Sequence, residues 1–509
     1  MKDDRIYKCA SIVLFSVFFF ISCQPSQSNE EQAKEILPDT IGLLHSDTLV
    51  KEQDSVLTAL LNLNKVRFGD FDTLFKRRII RVLIPYSRTL FFNDKGRERG
   101  ITADMLRDFE FYLNKKHKTK LHKIPITLIF IPSPRDQLIT QLNAGYGDIA
   151  AGNLTVTDNR KSEVDFFSPD IEQELSELPL TRKGQDSLSE PEQLSGRTVY
   201  VRKSSSYYEH LLLLNKALKA KGKVEMKLIP ISENLEDEDL MEMLDAGILS
   251  TIVVDSWKAR MWAVILPGIH LNEKASIYTG GHVGWAVRKN SPKLLAELNT
   301  FYYKYEKPNG ILPYRLKKYA SQVKQLQDPS SSNHSQRYQE IMRYFEKYGK
   351  KYDFDPLMLA ALGFQESRLD QSQKSHVGAV GVMQLMPKTG ASMKVGSIYV
   401  TESNIHAGTK YMNQLMTLHF KDAQFDAFNR SLFAFASYNA GPGRVAGLRR
   451  TATLRGLNPN VWLNSVEIIA SEKIGRETTT YVRNIIKYYY SYKLMQERQA
   501  EQKKQREKY

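Results

Sequence analysis

Thiols are almost absent from this chain, whose 509 residues include only Cys9 and Cys23. No zinc-finger spacing occurs, so neither a disulfide framework nor a thiolate metal centre organises the fold. There is no HExxH pair and no phosphate-cradling glycine loop, and no cofactor is expected. The sequence also lacks an RNP motif, a compact arginine-rich stretch and an internal repeat of fixed period, which argues against nucleic acid as a partner. The apolar run ASIVLFSVFFFI, residues 10–21, is too short to cross a hydrocarbon layer of about 30 Å as a helix. What remains is an ordinary globular composition, 42% hydrophobic and 25% charged, in a chain too long for one core. Two or three domains are therefore expected. The net charge of +15 favours an anionic partner such as a membrane surface or an acidic polymer. Part of that charge lies in the tail QKKQREK, which reads as a solvated helix end.

The apolar run follows Lys2, Arg5 and Lys8, as in a secretory signal, although Asp3 and Asp4 dilute the positive region. It closes on FISC before the polar stretch QPSQSNEEQ. That junction resembles a bacterial lipoprotein processing site, with Phe20 where Leu is commoner. The resemblance implies cleavage ahead of Cys23 and lipidation of that residue. The protein would then be anchored to the outer membrane and face the periplasm. An ordinary cleaved signal with Cys23 incidental is the alternative. Cys9 would leave with the signal, and packing alone would stabilise the mature chain. Residues 23–76 read as a polar tether followed by an opening helix at SVLTALLNL.

From Arg77 onward, strand and helix patterns alternate. RIIRVLIPY, ITLIFIP and DIAAGNL read as strands, with ITADMLRDFEFYLNKKH and RDQLITQLNAG as helices between them. TVYVRKSSSYYEHLLLLNKALKAKG, VEMKLIPI and LMEMLDAGILSTIVVDSWKARMWA continue the alternation. The pattern predicts an α/β fold with largely parallel sheets.

Within this segment, GDIAAGNLTVTDNRKSEVDFFSP resembles the family 3 extracellular solute-binding proteins over residues 77–306. The resemblance implies two α/β lobes that close on a ligand, a periplasmic-binding-protein-like domain. It carries ligand-binding roles to Asn153, Thr155 and Arg160, to Ser204 with its neighbours Ser205 and Ser206, and to Asp255. An Arg fork can pair both oxygens of a carboxylate while an Asp across the cleft answers an ammonium. A zwitterion, an amino acid or a muropeptide, is the expected ligand. In the plainer reading Arg160 is a solvent-facing turn residue and Asp255 a strand-end cap.

Residues 307–333, including LQDPSSSNHS, have the composition of a linker. Ser335 is placed to cap the helix QRYQEIMRYFEKYGKKY, and from here helices and loops prevail. Asp355 and Pro356 signal another helix start, followed by LMLAALGF, apolar on every face. Leu359 and Leu362 precede Glu366 by seven and four positions, so the three share one helical stripe. A carboxyl held partly out of water keeps its proton, which is what a general acid requires at neutral pH. A helix-end Glu paired with Arg368 or a backbone donor is the plainer alternative.

Downstream stand SHVGAVGVMQLMPKTG, FASYNAGPGRV and ETTTYVRNI. Gly378 and Gly381 allow close backbone approach, and Pro387 opens or kinks the next element. Together with the ES of GFQES these motifs resemble the catalytic domain of soluble-type lytic transglycosylases, mainly α and lysozyme-like, over residues 334–495. Residues 496–509 form a charged tail. Departures are Phe364–Gln365 before the Glu, His376–Val377 where Pro-Ala is frequent, and Val382 for Leu. The order of units resembles the membrane-bound lytic murein transglycosylase F family.

That resemblance implies Glu366 as the catalytic acid, acting on peptidoglycan glycan strands to give 1,6-anhydro-muramoyl ends. Ser375, Met383 and Gln384 would line the glycan groove, Tyr438 and Asn439 its opposite wall, and Glu477 and Tyr481 would position the sugar. For Tyr481, Met383 and Met386 a core role is equally open from spacing alone. Two other readings stay open in the sequence. One is a solute or muropeptide receptor with an inactive glycan-binding unit; the other is a muramidase with a second carboxylate.

Overall fold

The β-branched run IIRVLI forms β1 (Ile79–Ile84), buried at every residue after the first. The computed structural model describes residues 65–506 except 88, 95, 123, 169–174, 310–314 and 316–331. The signal-like run, Cys23, SVLTALLNL and most of the expected linker lie outside the described residues. A hairpin of β2 (Phe92–Asp94) and β3 (Arg97–Arg99) leads into helix α1 (Ile101–Lys116), then β4 (Thr127–Pro132), α2 (Leu138–Asn143) and β5 (Ile149–Thr155). Both β4 and β5 pair with β1 in parallel. After α3 (Asp158–Glu163) comes β6 (Val164–Phe167), and β13 (Val283–Arg288) inserts between β5 and β6, antiparallel to both. The first lobe is thus a sheet of order β4-β1-β5-β13-β6.

The second lobe has order β11-β7-β10-β8-β9, with β12 also on β7. Its strands are β7 (Leu175–Arg182), β8 (Thr198–Val201), β9 (Lys227–Pro230), β10 (Thr251–Asp255), β11 (Ile269–Leu271) and β12 (Tyr278–Gly281). Helices α4 (Ser206–Ala220), α5 (Asp237–Asp245) and α6 (Ser256–Ala263) connect them. The two-lobed α/β expectation holds, but the sheets are mixed rather than largely parallel. Strands β8, β9 and β10 run parallel, whereas β7 opposes β10, β11 and β12. The cause is topological. The chain passes between the lobes after β6 and again after β12, and a strand entering without a crossover helix is free to run against its neighbours.

The remaining chain is helical: α7 (Ser332–Tyr352), α8 (Pro356–Ser367), α9 (Thr401–His419), α10 (Ala427–Ala440), α11 (Glu467–Ile474) and α12 (Arg476–Arg506). Helix α7 begins at Ser332, so Ser335 lies inside it rather than capping it. Helix α12 runs on through most of the charged tail. Among the described residues of this unit, extended pairing is limited to the isolated bridges Lys374–Val380 and Val380–Leu385.

The helical unit rests on both lobes. On α12, Lys487 is 1% exposed at its side chain, and its Nζ lies 3.0 Å from Asp239 and 2.8 Å from Glu242 of α5. Arg483 pairs with Glu467, donates to the Asn234 carbonyl at 3.4 Å, and lies over the Tyr86 ring. Ser471 donates to the Asn93 carbonyl of β2, and Arg476 stacks on Phe92 at 4.1 Å. Truncating one partner of a buried ion pair leaves charge without compensation. Lys487→Met is therefore expected to cost about 3–5 kcal/mol, read as a lower denaturant midpoint; an unchanged midpoint would show that this contact does not hold the units together.

Candidate active site and inter-lobe cleft

Helix α8 starts as its sequence dictates. Asp355 caps it by accepting from Leu357 N at 2.8 Å, and Pro356 takes the first position. Leu359, Leu362 and Phe364 are fully buried, and α8 packs between α7 and α12. The helix ends on Arg368 and Leu369, both with φ of 60°, a sharp turn that leaves Glu366 at the rim of the core. Arg368 donates to the Phe364 carbonyl at 2.8 Å and lies over that ring. The hydrogen-bond partner of Glu366 is the Tyr481 hydroxyl from α12, which donates to its Oε1. Burial pushes the Glu366 carboxyl up to about 7, and the Tyr481 hydrogen bond opposes that shift. Burial, followed by the nearby Glu366 charge, raises the Tyr481 and Tyr438 hydroxyls well above the ordinary phenol range.

The loop after α8 is tied by a residue that sequence reasoning passed over. Asn404, fully buried on α9, accepts from Met383 N at 2.8 Å and donates to the carbonyls of Val380 and Ile398 at 2.9 Å each. A polar side chain in the run SNIHAG was its only signal. Gly381 has φ of +78°, and a Cβ there would stand 2.5 Å from Asn404 Nδ2, so this turn admits glycine alone. Ser375 closes the loop, its Oγ accepting from Ala379 N at 2.9 Å. Gln384, with φ of 45°, donates to the carbonyls of Gly381 and Gln373. Met383 is 0% exposed and packs on Gly408, so its side chain belongs to the core and not to a groove wall. Its carbonyl is what faces the site, accepting from Tyr438 OH at 2.7 Å. Exposed Asn439 accepts from Thr478 at 2.7 Å, and Glu477 is exposed in the first turn of α12. Tyr438, Tyr481 and the Met383 carbonyl thus gather around Glu366, while Met386 is 45% exposed and is not core.

Between the lobes, Asn153, Thr155, Arg160, Ser204 and Asp255 all line one cavity of about 40 Å³. Arg160 spans the cleft, donating to the Thr155 carbonyl at 2.8 Å and to the Ser204 carbonyl of the other lobe at 3.0 Å. Asn153 is held by Trp285 Nε1 at 3.0 Å, and Ser204 donates to Glu233. Asp255, expected to answer a ligand ammonium, lines the cavity and lies 3.4 Å from Lys258 Nζ. Lys258, Asp237, Arg202 and Arg135 also line the cavity and were missed. Lys258 was legible in principle, three residues after Asp255 and one helical turn along. Among the described residues no group of three or more His, Cys, Asp or Glu side chains is arranged to hold a metal.

The architecture defines a class: a two-lobed solute-binding unit joined to a helical transglycosylase unit. Residues 81–319 match the bacterial extracellular solute-binding proteins, family 3, and residues 343–455 match the transglycosylase SLT domain. A membrane-bound lytic murein transglycosylase F of Desulfosudis oleivorans is 31% identical over 373 residues, covering 70% of this chain and 79% of that protein. Its counterpart in Pseudomonas fluorescens is 28% identical over 430 residues, covering 81% and 84%. An ancestral arginine-binding protein bound to arginine aligns with 24% identity and a TM-score of 0.37, over 47% of this chain and 97% of its own. The chain belongs to the membrane-bound lytic murein transglycosylase F family.

Two outcomes follow from the Glu366 environment. Its folded-state carboxyl titrates near 7 against an ordinary value of 4.5. The stability it contributes is therefore fully present below about 4.5 and lost as pH rises through about 7. Glu366→Gln should abolish that pH-dependent change in unfolding midpoint. Because the Tyr481 hydroxyl lowers the Glu366 value, Tyr481→Phe should move the carboxyl titration, followed by NMR, to higher pH. A titration near 4.5 in the folded wild type would refute both.

Proposed function

We propose that the protein cleaves the β-1,4 bond between N-acetylmuramic acid and N-acetylglucosamine in peptidoglycan, without water, leaving 1,6-anhydro-muramoyl ends. The observation that carries this reading is a single half-buried carboxyl, Glu366, poised near pH 7 beside one tyrosine hydroxyl. Burial raises it and the Tyr481 hydroxyl opposes that shift, and the motifs supply no second carboxylate matched to the role of nucleophile or base. Two-carboxylate glycosidases need a partner about 5–9.5 Å away to activate water or attack the sugar. A lone acid fits an intramolecular route.

In that route protonated Glu366 gives its proton to the bridging oxygen as the C1–O bond breaks. The muramoyl 6-hydroxyl oxygen then bonds to C1 while its proton passes to the Glu366 carboxylate. Atoms balance, the acid is restored, and nothing is taken from solvent. Tyr481 stabilises the carboxylate between the two transfers. We assign the groove wall to Ser375, Gln384, Tyr438 and Asn439, with Glu477 at its edge and the Met383 carbonyl rather than its side chain lining it.

Attachment fits the same reading. Among the described residues no helix is long and apolar enough to cross a membrane, and Cys23 is assigned as a lipidated anchor to the outer membrane. The cleft is assigned a regulatory role, because the helical unit contacts both lobes and a change in their separation changes those contacts. Arg160, which joins the lobes, lies outside the active site. Arg160→Ala is expected to change turnover of purified murein at least twofold; an unaltered rate would remove the regulatory role.

The decisive measurement is product analysis. Wild type should release anhydromuramoyl ends, and Glu366→Gln should lose about 10²–10⁴-fold in rate while keeping its fold. Reducing ends from the wild type would mark a hydrolase instead.

A further inference from the structure

The inter-lobe cavity answers its own acidic groups from within. Lys258 Nζ sits 2.5 Å from Asp237 and 3.4 Å from Asp255, and all three side chains are nearly buried. Asp237 is also paired with Arg202, and Arg135 with Glu236 at 2.8 Å. The Tyr207 hydroxyl is spent as well, bonding Asp237 at 3.3 Å and the Asp255 amide at 3.2 Å. A ligand ammonium entering here would meet carboxylates already compensated and a fixed ammonium of like charge beside them.

Among these cations Arg160 differs. Among the described residues no carboxylate lies within ion-pair distance of Arg160, whose partners are two backbone carbonyls. Glu209 and Glu177 act on it only from further away, and burial depresses its pKa. Arg202, by contrast, is paired with Asp237 and lies 3.6 Å from Glu236. Helix α4, 15 residues long and capped by Ser205, begins at the same wall of the cavity. Its N-terminus adds positive potential, although the Tyr208 amide is already taken by the Ser205 cap.

We infer that the cleft takes a carboxylate that carries no free ammonium, held by Arg160 and the start of α4, and that Lys258 excludes zwitterionic amino acids. This inference rests on the cleft being a ligand site, as proposed above, and specifies the ligand class. Space supports it. A water needs about 10–15 Å³, so the partly enclosed cavity of about 40 Å³ admits a carboxylate-sized group beside Arg160 and leaves the rest of a ligand to extend through its mouth. Two sources share that chemistry: a small free hydroxy acid, and the carboxylate end of an amino acid whose nitrogen is acylated.

Calorimetric titration of the full chain in detergent with lactate, N-acetylalanine, alanine and glycine tests it. Lactate or N-acetylalanine should bind at least tenfold more tightly than either free amino acid. Lactate alone would point to the hydroxy acid, and N-acetylalanine to the acylated source. Arg160→Ala should weaken acid binding at least tenfold, and Lys258→Met should admit alanine. The wild-type comparison decides the matter even where the Lys258 variant fails to fold. Free amino acids binding as well as the acids would overturn the ligand class and leave the cleft as a binding site. Absence of binding by all four probes would overturn both, and acid binding that survives Arg160→Ala would overturn the assigned position.

Discussion

A carboxyl group at the end of an apolar helix is costly to ionise, and much of the helical unit serves to keep it so. Helix α8 supplies the dry approach through Leu359, Leu362 and Phe364, and the positive-φ turn at Arg368 and Leu369 stops the helix before Glu366 is swallowed. Helix α12 packs along α8 and brings Tyr481 to the carboxylate. The loop held by Asn404 sets the facing wall, through Met383, whose amide donates to Asn404 and whose carbonyl accepts from Tyr438. Desolvation raises the acid and one phenol restrains it, so the group sits where it can both give and receive a proton near neutrality.

Much of this was legible before any coordinates. The alternation of strand and helix in residues 77–306 reflects hydrophobic periodicity, which local sequence encodes directly. The start of α8 was equally plain, because Asp355 and Pro356 act through neighbouring atoms. The stripe of Leu359 and Leu362 marked Glu366 as a candidate acid, but only the downstream motifs, through the family they resemble, singled it out from an ordinary helix-end Glu. Strand direction was not legible: the antiparallel placement of β7 and β13 follows from the chain crossing between lobes, a long-range event with no local signature. Met383 illustrates a second limit. Its motif marks proximity to the site, but which of its atoms faces the groove depends on Gly408, 25 residues away.

The cleft shows how much a local pattern leaves out. Arg160 and Asp255 are complementary in sequence and suggest a salt-bridging grip on a zwitterion. Only the fold reveals that Lys258, on the next turn after Asp255, stands 3.4 Å from that carboxylate. Charge satisfaction is a property of a closed volume, and a single chain segment does not report it.

The seats of the helical unit are unequal. Its apolar interior is continuous with that of the second lobe, from Leu240 and Leu244 through Ile485 and Ile486, while the first lobe keeps separate cores. Toward the second lobe stands a dry ion pair as well; toward the first there are a serine hydrogen bond and an arginine on an aromatic ring. Should the jaws part, the weaker footing at Phe92 and Asn93 gives way first. The catalytic machinery would then travel as a passenger of the second jaw, and its flank at Ser471 and Arg476, covered here by the first lobe, would be laid open.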